Sequence, residues 1–97
     1  MACFFLVDVF IDEDKGRGLY SEYIEAVQSI VESFGGEYLA RSEKLTGLHL
    51  DRRPDRVIII RFPDRASLDA CFSSPAYLDI MHKRSDYVDA RAVIVEG

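Results

Sequence analysis

Cysteine is nearly absent from this chain: Cys3 and Cys71 are the only two in 97 residues. Two thiols without C-x-x-C spacing exclude a disulfide framework, so both are expected to stay reduced and to pack as small apolar residues, as in a cytoplasmic protein. Long hydrophobic runs are missing too. No stretch approaches the roughly 18 apolar residues that a membrane span requires. The N-terminal CFFLVDVFI has no basic leader, carries Asp8 in its middle and lacks a small-residue cleavage site, so it reads as a strand and not as a signal peptide. Basic charge is in deficit, with 12 Lys and Arg against 17 Asp and Glu and a net charge of −5. The basic residues are scattered, which speaks against a nucleic-acid-binding surface. The histidines, His49 and His82, stand far apart in a polar loop and on a helix, and no motif joins either to further metal ligands or to a catalytic triad. GRG at 16–18 lacks the strand and helix that flank a nucleotide-binding loop. No repeat, low-complexity segment or aromatic platform for single-stranded nucleic acid is present. Neither metal nor cofactor is expected.

What remains is enough apolar material, 48% of residues, for one compact domain spanning 1–97. Residues 2–11 alternate in strand fashion, with Cys3, Phe5, Val7, Val9 and Ile11 on one side and Phe4, Leu6, Asp8 and Phe10 on the other. Both sides are apolar except at Asp8, the pattern of a strand covered on two faces. From residue 19 the period becomes helical: Tyr20, Tyr23, Ile24, Val27, Ile30, Val31 and Phe34 form one stripe. Gly35 and Gly36 close that helix. EYLAR opens a second strand, which loses its pattern by SEKLTG. A polar connection through Pro54 leads to a third strand, RVIIIRF (56–62). Asp64 is a helix N-cap, and Ser74-Pro75 marks a second helical start, so a broken helix is expected from 65 to about 85. Ser73 and Ser74 are better explained as caps than as nucleophiles, and Cys71 lies on an apolar helix side with Leu68 and Phe72. ARAVIVEG forms the last strand.

The order β-α-β-β-α-β predicts an α+β, ferredoxin-like domain: a four-stranded antiparallel sheet with both helices on one face. Two helices cover one face only, whereas the first, third and fourth strands are apolar on both. A second copy packed sheet against sheet resolves this, so a homodimer through the sheet face is expected.

The segments GGEYLAR (35–41), RPDRVIIIRFP (53–63), SSPAY (73–77) and DARAVIVEG (89–97) resemble, in order and spacing, the recurring motifs of a small bacterial family, domain of unknown function 1330. The resemblance spans nearly the whole chain. It implies a dimeric α+β barrel, the fold shared with antibiotic-biosynthesis-type monooxygenases, and supplies no activity. The chain departs from the family pattern at Arg52, where many members carry Trp, and at Arg61, often acidic in relatives.

Strand alternation selects the candidate site. In the third strand Ile58, Ile60 and Phe62 suit the helices, which leaves Val57, Ile59 and Arg61 facing the barrel; Asp8 and Arg91 fall on that side of their own strands. Arg41 is a further candidate, although the parity of the second strand is ambiguous. Charges buried near one cavity must pair with one another or with an anion. In the structural reading Asp8 and Arg61 form an ion pair on adjacent strands that helps set register. In the functional reading surplus arginine charge, with Tyr20, Tyr23 or Tyr38 at the mouth, holds a small carboxylate or enolate-like ligand; Tyr20 and Tyr23 also fit the core stripe of their helix. Two functions stay open. One is a non-catalytic dimeric binding or interaction protein. The other is a cofactor-free enzyme of the monooxygenase-like or isomerase-like kind, with Asp8 as base or Arg61 and Arg41 as anion stabilisers.

Overall fold

The structure, a computed structural model, describes residues 2–11, 20–49, 51–85 and 88–97. Strands β1 (Cys3–Ile11), β2 (Glu37–Ser42), β3 (Arg56–Phe62) and β4 (Val88–Glu96) and helices α1 (Tyr20–Ser33), α2 (Arg65–Ser73), α3 (Pro75–Ile80) and α4 (His82–Ser85) follow in the order β1-α1-β2-β3-α2-α3-α4-β4. The strands form one antiparallel sheet in the order β2-β3-β1-β4. This is the ferredoxin-like arrangement, with the second helical unit divided into three short helices.

Local chemistry explains the breaks. Gly35 adopts φ +85°, a left-handed conformation that side chains resist, and the Gly36 amide donates to the Val31 carbonyl at 2.9 Å, ending α1. Asp64 caps α2 by accepting from the Ser67 amide at 2.7 Å. Ser74 serves two helices at once: its hydroxyl donates to the Cys71 carbonyl at 2.7 Å and accepts from the Tyr77 amide at 3.2 Å. Pro75 then occupies the first turn of α3, where its missing N–H is not needed.

The core lies between sheet and helices. Cys3, Val9, Val31, Phe62 and Cys71 are fully enclosed. Phe72 organises the aromatic part, stacked on Phe5 at 4.5 Å and edge-on to Phe62 and Tyr77 at 6.0 and 5.0 Å. Tyr23 from α1 and Tyr77 from α3 share a buried hydroxyl–hydroxyl contact of 3.1 Å, so Tyr23 belongs to the core. The molecule measures 36 × 31 × 16 Å. Its thinnest dimension accommodates one sheet and one helical layer, stacked roughly 10 Å apart.

The other sheet face carries Phe4, Leu6, Asp8 and Phe10 from β1, Val57, Ile59 and Arg61 from β3, and Arg91, Val93 and Val95 from β4, as their cross-strand registers require. Val93 and Val95 are 57% and 44% exposed. No helix among the described residues is long and apolar enough to cross a membrane.

Gly36 packs where a side chain does not fit: an added Cβ would collide with Val31 Cγ1 and lie 2.9 Å from the Val31 carbonyl oxygen. Gly36→Ala is expected to destabilise the fold by about 1–3 kcal/mol, the usual cost of overpacking, read as a lowered midpoint in thermal or urea unfolding.

Candidate functional site

The site builds up around Asp8 on the open face of the sheet. Backbone pairing sets Asp8 opposite Val57 on β3 and Arg91 on β4. Beyond β2 the chain returns to β1 at Asp55, whose amide donates to the Val9 carbonyl at 2.9 Å and whose carboxylate accepts from the Ile11 amide at 2.7 Å. Anchored in this way, the connection brings Arg52 over the sheet. Its Nε and Nη2 donate to the two Asp8 oxygens at 3.0 and 3.1 Å, a two-pronged ion pair. The Asp8 side chain is 19% exposed and that of Arg52 66%. This contact raises the Arg52 pKa, chiefly through the hydrogen bond itself.

Between this connection and β3 lies a concavity of about 650 Å3. Leu45, Leu48, Pro54 and Val57 supply an apolar wall, and His49, Arg52 and Arg53 the polar groups. Leu48 is 87% exposed. Arg53 makes no ion pair among the described residues. The arrangement combines a volume in the range of small-molecule sites with cationic donors and an apolar wall, which suits an organic anion. Among the described residues no group of three His, Cys, Asp or Glu side chains converges.

Two expectations are overturned. Asp8 and Arg61 do not pair. Arg61 stands opposite Phe4, four residues along β1 from Asp8, which separates the two backbones by roughly 13 Å at the rise of an extended strand. Arg61 is exposed, has Glu37 as its β2 register neighbour and forms no ion pair among the described residues. Arg41 does not reach the open face either. Leu39 is an extra residue in β2, a bulge between Tyr38 and Ala40. Without the bulge, strict alternation from Tyr38 would set Arg41 opposite Val57. With it Arg41 opposes Ile58 and turns to the helices, donating to Gln28 Oε1 of α1 at 3.2 Å, because one inserted residue reverses every side chain after it. Tyr38 shares that side, its ring 4.9 Å from the Arg41 guanidinium. Burial pushes the Tyr38 phenol up to about 12, with Arg41 pulling the other way.

Of the remaining candidates, Arg91 lies on the open face, bound to Asp89 at 3.0 Å and stacked 5.2 Å from the Phe10 ring. The Tyr20 side chain lies outside the described residues. Arg52, Arg53 and the hollow beside them had no counterpart in strand periodicity, since they belong to a connection whose path depends on the Asp55 anchor. Cys71 is fully buried, and desolvation raises its thiol to about 11, a packing residue and not a nucleophile at neutral pH.

The profile of the family described as "Domain of unknown function (DUF1330)" matches residues 5–97. The chain belongs to this family. Solved structures similar to this DUF1330 chain include RPA0582, a protein of unknown function from Rhodopseudomonas palustris, at 19% identity and TM-score 0.81, covering 99% of this chain and 82% of that one. A dimeric ferredoxin-like protein of unknown function from Jannaschia sp. CCS1 matches at 14% identity and TM-score 0.67, covering both chains completely. SnoaB, a cofactor-independent oxygenase from Streptomyces nogalater, matches at 11% identity and TM-score 0.61, covering 99% of this chain and 92% of its own. At these identities the likeness is one of fold. No curated protein matches the DUF1330 chain.

Arg61→Leu is expected to lower stability by no more than about 0.5 kcal/mol, since no ion pair is lost, whereas Asp8→Asn and Arg52→Leu give non-additive shifts in a double-mutant cycle read by thermal unfolding. Cys71 and Tyr38 lose their protons more readily in the unfolded chain than in the native one, so the native state binds more protons above pH 9. Stability therefore falls as pH rises from about 9 through about 11 to 12, and Cys71→Ala, which leaves the raised Cys3 thiol in place, reduces the lower part of that fall in melting temperatures recorded from pH 8 to 12.

Proposed function

We propose that this DUF1330 protein is a homodimer built by packing the open sheet faces of two copies into an α+β barrel, and that it binds a small organic anion in the hollow beside Asp8. The observation that carries the reading is the pairing of an apolar hollow with an excess of arginine. Asp8 neutralises Arg52 only, which leaves Arg53, in the same lining, with charge to spare. A carboxylate or enolate matches the two-pronged donor pattern of a guanidinium. The apolar part of the ligand then rests on Leu45, Leu48 and Val57, and a second copy covering the sheet shields it from water.

The dimer is supported by the half-exposed Val93 and Val95 beside Phe4, Leu6, Phe10 and Ile59 on one sheet face, and by the dimeric description of the Jannaschia protein. The ligand-holding reading stands ahead of the cofactor-free enzyme because both oxygens of Asp8, the carboxylate such an enzyme would use as its base, are taken up by Arg52. SnoaB keeps the enzyme reading in view through its fold alone.

Sedimentation and native mass spectrometry test both parts. A dimer is expected for the parent and a folded monomer for Val93→Asp, which sets a charge in the middle of the packed face. Extra mass on protein purified gently from its own host, lost in Arg53→Ala, supports the anion site. A Val93→Asp dimer of undiminished stability rules out the sheet-face interface. Host-purified dimer without added mass, and without response to a panel of small carboxylates, rules out the ligand.

A further inference from the structure

On the opposite side of the sheet, under α1, lie two arginines that pair with no carboxylate among the described residues. The bulge at Leu39 brings Arg41 opposite Ile58, and Arg56, two residues before Ile58 on β3, points to the same side. They are diagonal neighbours on one sheet face, within reach of each other's long side chains. Arg41 is partly satisfied: Nη2 donates to Gln28 Oε1 and the guanidinium lies over Tyr38. Its Nη1, however, is shielded from solvent with no acceptor, and so is Nε of Arg56. Neither arginine forms an ion pair among the described residues.

Shielded donors without acceptors are rare and call for a partner, because each loses its hydration and gains nothing in return. Water satisfies single donors elsewhere in proteins. Here two positive charges share the place, and a neutral water leaves both uncompensated, whereas an oxyanion offers lone pairs to both and cancels charge. Arg41 also lines a small cleft of about 40 Å3 between sheet and α1, walled otherwise by apolar and aromatic side chains including Phe5, Val7, Val27, Ile58 and Phe72. That volume has room for a methyl or ethyl group and for little more. We infer that Arg41 and Arg56 form a second, helix-side anion site that takes a short-chain carboxylate, its head between the two guanidinium groups and its one- or two-carbon tail in the cleft. The site belongs to each subunit alone and requires no dimer.

Acetate is the probe, titrated against chloride at constant ionic strength and neutral pH and followed by the arginine Nε–H resonances and by melting temperature. Saturable shifts of the Arg56 and Arg41 signals are expected. At ten times the dissociation constant the melting temperature rises by several degrees, as binding to the native state alone requires. Arg56→Gln abolishes the saturable shift of the Arg41 signal, and Arg41→Lys, which keeps the charge and loses the fork, weakens the binding read at Arg56 at least tenfold, whatever the hollow beside Asp8 contributes to melting temperature. Arg65→Gln, at the exposed start of α2, leaves the shifts of both signals intact. If Arg56→Gln does not fold, the parent titration still decides. Equal responses to acetate and chloride, shifts that never saturate, or saturable binding that leaves the Arg41 and Arg56 signals unmoved would each overturn the site.

Discussion

A four-stranded sheet has two faces, and α1 through α4 form a single layer on one of them. Everything else in this chain follows from that mismatch. β1 and β3, the two central strands, are apolar on both sides, so the fold solves only half of its burial problem within one copy. The helix side is closed by Phe62, Val31, Cys71 and the Phe5–Phe72–Tyr77 aromatic group. The other side keeps Phe4, Leu6, Val93 and Val95 in one contiguous patch, and hydrophobic burial of such a patch is the dominant force available for association.

Charge is distributed to fit the same constraint. Asp8 is the acidic residue of β1, placed on the open face, and it is held from above by Arg52 of the connection that closes that end of the sheet. The pair ties the loop to the sheet and shapes the hollow beside it. Its exposed guanidinium makes it a modest contributor to stability and a more consequential one to geometry, since together with the Asp55 anchor it holds the end of the connection against β1. On the helix side the bulge at Leu39 has the reverse effect, carrying a guanidinium under α1 where no carboxylate among the described residues pairs with it.

Much of this was legible in residue order. The period-two runs of the strands, the helical stripe ending at Gly35, the cap at Asp64 and the Ser74-Pro75 restart each reported a local preference that tertiary structure kept. Alternation also assigned Ile58, Ile60 and Phe62 to the core and Asp8, Arg61 and Arg91 to the open face. It failed where a backbone irregularity or a long-range contact intervened. One inserted residue in β2 moved Arg41 to the other side, and no propensity marks that insertion in EYLARS. Face assignment also says nothing of position along a face, so Asp8 and Arg61 shared a side without sharing a neighbourhood. The true partner of Asp8 sits 44 residues away, in a loop that carries no periodic signal.

The central claim is that the open face is covered by a second copy. Isotope-filtered NOE spectroscopy on an equimolar mixture of labelled and unlabelled protein tests it most directly, because it reports which side chains touch across subunits. Intermolecular contacts from the methyl groups of Val93 and Val95, with none from Val27 and Val31 on the helix side, are the expected result. An absence of intermolecular contacts at millimolar concentration, or contacts confined to the helical layer, would contradict the account.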